Sequence, residues 1–449
     1  MRLHIQHRWL RLAIIAAAAG ASAPLGTVLT AQTRQVSVES VIYDLNNPDP
    51  GRRQAAAREL GAVKYKMATP HLVAMAHDPD ASVRREVELS LERMEDMMAL
   101  PGFIAFATDV ENDIRSRAVA ALVNIHLPRS NGVGAALSRV GELINVLPDR
   151  ELEVVVEPDV PVDPAVITTL RGRIGDSERG IRRTAIRGLG ILRAKPGVPD
   201  LLQIVREDRD DGLRFEAVRA LRKIGDTSVA PELLAQVNIN SDSVRNEIIS
   251  TLGAMHFHGA VAELTRIVEQ GRKTETPRVL ALGALADISD PASVELFDRL
   301  KADENETIRL YANEGIARTV DPDQKSAIVA ARLVEKSARV RTAQAFALLR
   351  MGEMEYLDEL IRALEPKPTR DLAREYLLET RSADRPLLFT PRQVNATVRA
   401  ELADVFGLIG DPAALPRLDE WTRDTNTDVV RAAERAIRRL GVVTATTQF

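Results

Sequence analysis

Residues 80–94 read DASVRREVELSLERM and residues 395–410 read NATVRAELADVFGLIG. Counted from Arg84, apolar residues fall at −1, +3, +7 and +10 (Val83, Val87, Leu91, Met94). Counted from Arg399, the same places hold Val398, Leu402, Phe406 and Ile409. Those offsets lie on one stripe of a 3.6-residue helix, so each stretch is an amphipathic helix with one fixed buried face. The pattern extends along the chain. Arg53, Arg84, Arg115, Arg182, Arg214, Arg245, Arg278, Arg309, Arg341, Arg370 and Arg399 form a column that Val430 completes. Neighbours in the column stand 29 to 33 residues apart, except for the 67 between Arg115 and Arg182. Seven places after each anchor the residue is apolar every time, from Leu60 through Ile316 to Ile437.

Punctuation agrees with the period. Asp49, Asp80, Asp210 and Asn426 stand four places before their anchors, where a short polar side chain caps a helix N-terminus. Gly225, Gly352, Gly410 and Gly441 stand eleven places after, where a left-handed C-terminal cap is expected. A second apolar segment precedes most anchors, as at 199–205, 229–236 and 260–269. Two short helices in about 31 residues make a hairpin that must stack on its neighbours to bury its stripe. The expectation is an all-α stack of about twelve helical hairpins.

Composition fits such a stack. Apolar residues reach 45% but aromatics only 4%, so the core is mostly Ala, Leu, Val and Ile. Cysteine is absent, which excludes disulfides, thiolate metal sites and cysteine nucleophiles. Arg2, Arg8 and Arg11 precede an alanine-rich apolar stretch at 12–23, and small residues run on to Ala31. This reads as a signal peptide cleaved after Ala31, leaving a periplasmic or secreted protein with no membrane span; an uncleaved anchor is the alternative. Removing it takes away three basic residues and no acid, so the mature chain is mildly acidic and no nucleic-acid partner is expected.

The runs DASVR before Leu91, and Val398-Arg399 before Leu402, Phe406, Ile409 and Gly410, resemble the HEAT repeat family, in particular the short HEAT-like repeats of phycobilisome lyases. The resemblance covers roughly residues 40–441. It implies an α-solenoid, a right-handed superhelix in which recurring Asp and Arg side chains tie neighbouring turns together. It implies no activity, since no residue matched is catalytic.

Five segments follow: a signal peptide at 1–31, repeats at 32–147, an insertion at 148–164, repeats at 165–441 and a tail at 442–449. The insertion holds four prolines and six acids against one arginine, so a surface loop is expected, with a short extended piece at 152–156. It is a candidate cover for the arginine-rich face that follows.

No catalytic constellation, metal motif or cofactor loop is found. His256-Phe-His258 is the one close histidine pair, and it falls in a turn between helices. Places +1, +5 and +8 point away from the core stripe and are the candidate contact positions. They give a basic face, Arg183, Arg187, Phe215, Arg219 and Arg222, and then an apolar one, Val279, Leu310, Phe346 and Leu349. Two readings stand for the apolar set, a partner groove or packing in a tightly curved interior. The expected function is a non-enzymatic scaffold for protein or peptide partners along the inner face. The alternatives are a factor binding an anionic envelope polymer, or a lyase or hydrolase with unrecognised residues.

Overall fold

A computed structural model describes residues 37–127, 155–156, 160–270 and 276–446, with side chains as far as 441. The expected signal peptide and most of the acidic insertion lie outside the described residues.

Every anchor lies in the first turn or so of a helix. The twelve anchor helices are α1 (Pro50–Ala62), α2 (Ala81–Met94), α3 (Asn112–Asn124), α4 (Arg179–Ile191), α5 (Asp211–Ile224), α6 (Asp242–Ala254), α7 (Thr276–Ile288), α8 (Glu306–Thr319), α9 (Ala338–Arg350), α10 (Lys367–Leu378), α11 (Ala396–Ile409) and α12 (Thr427–Thr446). Before most of them runs a shorter helix, such as Thr69–Ala74, Leu100–Phe106 or Leu415–Trp421. Among the described residues no helix is long and apolar enough to cross a membrane.

All four expected N-caps are made. Asp49 accepts from Gly51 N–H, Asp80 from Ser82 and Val83, Asp210 from Gly212 and Leu213, and Asn426 from Asp428 and Val429. The core stripe is buried as read, with Val83, Val87, Leu91 and Met94 sealed from solvent.

The C-cap column is left-handed more often than its glycines announce. Gly225, Gly352 and Gly410 have positive φ, but so do Lys64, Glu95, Arg193, His256, Ser289 and Val320, all eleven places after an anchor. Gly441 departs from expectation. It lies inside α12, which continues to Thr446, so the segment read as a tail is largely helical.

The anchor arginines form a ladder. Arg53 binds Asp78 at 2.7 Å, Arg84 binds Asp109 at 2.6 Å, Arg115 binds Asp176 at 2.9 Å and Arg399 binds Asp424 at 2.7 Å. Each acid stands six places before the next anchor, and Glu335 does the same for Arg309. The third nitrogen of the guanidinium, Nη1, turns inward: Arg53 donates to Asn47 O, Arg84 to Asp78 O and Arg309 to Asp303 O. Each planar fork therefore ties its own hairpin to the next one.

Adjacent anchor helices approach closely where one carries glycine. A methyl on Gly61 would lie 2.4 Å from Ser90 Oγ; on Gly253, 2.7 Å from Ala284 Cα; on Gly407, 2.7 Å from Ala436 Cα. Ser90 uses that closeness to donate to Ala57 O at 2.8 Å.

The contacts cluster into two units, residues 1–204 and 205–449. In the first, Val156 N–H donates to Ile191 O at the end of α4, at 2.9 Å, and its side chain is buried. This holds Val156, the last residue of the expected extended piece, against that helix end; residues 152–154 lie outside the described residues. The candidate site lies in the second unit, at the ends of α6 to α10.

Candidate functional site: a charged cleft at converging helix ends

Nine places after the anchors, the second unit carries Ala254, Asp287, Arg318, Arg350 and Glu379 in successive repeats. The equal offset brings the C-terminal ends of α6, α7, α8, α9 and the end of α10 side by side. With His256, Ser289 and Glu375 they line a cleft of about 440 Å³.

Arg318 organises it. Its guanidinium donates to Asp287 at 3.0 Å, to Glu379 at 2.7 and 3.1 Å and to Glu375 at 3.2 Å. Glu314 stands 3.8 Å away, one turn back on α8. Arg350 donates to the backbone oxygen of Glu379 at 3.2 Å. His256 is held at the mouth in a left-handed conformation, its Nδ1 2.6 Å from Asp287 O. His258 pairs with Asp290 at 2.7 Å, beside the cleft but outside its lining.

Beneath the cleft floor lies Glu314, 5% exposed. Its carboxylate accepts the hydroxyl proton of Tyr376 on α10. Phe346 of α9 lies flat on the Tyr376 ring, with centroids 4.4 Å apart. Thus α8 and α10, two repeats apart, touch directly around α9.

Crowding sets the electrostatics. Burial pushes Glu314 up to about 7, although Arg318 and Tyr376 act against it. Partial desolvation in the cleft raises Asp287 and Glu375 above the ordinary carboxylate range, with Arg318 opposing and the neighbouring carboxylates adding to it, although both side chains keep much of their surface in water. Burial disfavours the charge on Arg318, but Glu379, Glu314 and Asp287 outweigh it and hold the guanidinium above its usual pKa. The lining sets Asp287, Glu375 and Glu379 against Arg318 and Arg350, with Glu314 beneath, so carboxylates outnumber guanidinium groups. The helix C-termini add their partial negative ends. Among the described residues no cluster of histidine and acid side chains could hold a metal ion.

The residues expected from sequence fall elsewhere. Leu310, Phe346 and Leu349 are buried and Val279 is half-buried, so packing accounts for the first three of the apolar set. Of the basic face, Arg183 and Arg187 on α4 are half-buried. On α5, Arg219 is buried with its guanidinium 5.5 Å from the Phe215 ring, and Arg222 pairs with Glu247 at 3.2 Å. The cleft residues were missed because they sit at +9. The run of four charged residues at that one offset, Asp287, Arg318, Arg350 and Glu379, was the available signal.

Hairpins stacked at a fixed period, with core stripe, ladder and glycine contacts repeating, define an α-solenoid repeat protein. Residues 38–123, 162–222 and 198–286 match the family of HEAT repeats. No curated protein matches it by sequence. Among solved structures it is similar to an engineered protein at 16% identity, covering 90% of this chain and 98% of that one, with a TM-score of 0.36. It is also similar to yeast importin-β at 13% identity, covering 91% of this chain and 63% of that one, TM-score 0.48. A third is human deoxyhypusine hydroxylase in complex with glycerol, at 21% identity, covering 55% and 96%, TM-score 0.28. The chain thus spans under two thirds of the importin's length, and none of these likenesses carries an argument about function.

Proposed function

We propose that this protein is a non-catalytic scaffold, exported from the cytoplasm, that binds a protein or peptide partner through a cationic side chain seated in the Asp287–Glu375–Glu379 cleft. One observation carries the reading: carboxylates and helix C-termini converge on a single 440 Å³ opening, and Arg318 and Arg350 are the only arginines lining it. Partial desolvation and the neighbouring carboxylates already lift Asp287 and Glu375 toward protonation. An arriving guanidinium or ammonium relieves that repulsion, so its binding is favoured by the field the cleft already holds. The anionic-polymer reading draws less support, because Arg219 is buried against Phe215 and Arg222 is engaged by Glu247.

The test is titration of a fluorescent tetra-arginine peptide and its citrulline counterpart, at physiological salt. The arginine peptide should bind at least five-fold tighter. Glu375→Gln, a change at a side chain 58% exposed, should weaken it several-fold. Equal binding of both peptides, or no effect of Glu375→Gln, overturns the cleft reading.

A further inference from the structure

The Tyr376–Glu314 bond joins α8 to α10 across the intervening α9. Arg318 and Glu379 make a second bridge between the same two helices, one turn further along. Phe346 of α9 is clamped between them by its stack on Tyr376. Together these contacts form a clasp that closes the floor of the cleft. We propose that this clasp is proton-operated: with Glu314 protonated α8 and α10 are held together, and ionisation of Glu314 loosens them and widens the cleft.

The geometry gives the direction. In the closed arrangement Glu314 is sealed from water, with the Tyr376 hydroxyl on it and the Arg318 guanidinium 3.8 Å away. The charged groups facing it are Asp287 from α7, Arg318 from its own helix, and Glu375 and Glu379 from α10. Tyr311 on α8, and Arg339 and Arg350 on α9, stand in the next layer. Arg318 is the one cation near it, and that guanidinium is already shared among Asp287, Glu375 and Glu379. An ionised Glu314 therefore has little compensation where it lies, and it gains hydration only if α10 moves away. Burial holds the closed carboxyl at about 7, while an opened, hydrated one returns toward the ordinary value near 4.5. The closed form binds the proton more tightly, so raising the pH through 7 shifts the balance toward the open form. By linkage, the open-to-closed ratio rises by up to about 70-fold between pH 5 and 8. The regulatory consequence for a bound cation rests on the cleft reading given above. The clasp itself does not.

The absence of cysteine permits a direct measurement. Ala317→Cys places one thiol at a fully buried position beside the clasp, and Ala403→Cys places a control thiol in α11. Labelling by 4,4′-dithiodipyridine, divided by the rate for the unfolded chain at each pH, reports opening of each site. Opening at 317 should rise steeply from pH 5 to 8 while that at 403 stays flat. Glu314→Gln should abolish the rise. Tyr376→Phe removes a hydrogen bond that lowers the Glu314 pKa, so it should move the rise to higher pH. A common pH profile at 317 and 403, or an unchanged profile in Glu314→Gln, overturns the clasp. Since no ligand enters this experiment, its failure is distinct from failure of peptide binding.

Discussion

The guanidinium of Arg84 donates to both oxygens of Asp109, at 2.6 and 2.9 Å, across the boundary between one repeat and the next. Both side chains are nearly buried, at 11% and 5% exposed. Truncating either leaves an uncompensated charge in the seam. Arg84→Ala should destabilise the first unit by about 2–4 kcal/mol, read by urea denaturation, and Arg84→Lys should recover little, because a point charge cannot make the bidentate contact. A loss within error of zero would remove the ladder from the account of stability.

The ladder also sets the acid limit. The hydrogen bond from Arg399 holds Asp424 below the ordinary carboxylate range. Asp109 and Asp176 are held low too, burial being outweighed by Arg84 and Arg115. A depressed carboxyl stabilises the fold above its unfolded pKa, and that stability is lost as the pH falls through the folded value. Thermal melts should therefore drop steeply below about pH 4. In Asp424→Asn the part of this drop that belongs to the last repeat should be missing; an unaltered acid limb would show that Asp424 does not contribute.

Glu88 behaves in the opposite sense. It is fully buried on α2, neither carboxylate oxygen has a hydrogen-bond partner, and burial pushes it up to about 9. A raised carboxyl contributes stability that is fully present below its unfolded pKa near 4.5 and is lost as the pH climbs to the folded value. Glu88→Gln should match the wild type at pH 4 and exceed it by about 3 kcal/mol at pH 7. An equal difference at both pH values would mean that the carboxyl is hydrated in solution.

Val320 carries the most strained backbone in the C-cap column, a β-branched residue at φ +52°. Val320→Gly should stabilise the second unit by about 1 kcal/mol. Gly225→Ala, at φ +73° with open space around it, should cost about as much. Chemical denaturation of the pair checks both signs, and a destabilising Val320→Gly would refute the assignment of strain.

Export makes its own prediction. If the alanine-rich stretch at 12–23 and the small residues to Ala31 are a cleaved signal, as proposed, the native protein begins near Gln32. Sequencing the N-terminus of the native protein decides it, and an intact Met1 in a membrane fraction would contradict it.

Much of the fold was legible because it is local and repeated. The stripe through Val83, Val87 and Leu91 depends only on helical period, and the cap at Asp80 on the next three residues. Twelve imperfect copies then average out the noise in any one. Position +8 was also readable, since glycine at 61, 253 and 407 marks the closest approach of adjacent helices.

The candidate site was not legible in the same way. A helical wheel places Leu310 and Phe346 opposite the hairpin core and so seems to expose them. It accounts for one neighbour, whereas a helix in this stack has its hairpin partner on one side and another repeat on each flank. Around α9 the flanking helices close until Tyr376 meets Glu314 over the top of it, and Phe346 becomes interior. Sequence alone thus determined the period, the stripe and the caps, and it held the run of charges at +9 unread. Only the tertiary structure decided that those charges converge on one cleft and that Glu314 is buried beneath it. The reason is physical: the tilt between successive repeats is a sum of small packing differences, and no single residue's pattern carries that sum.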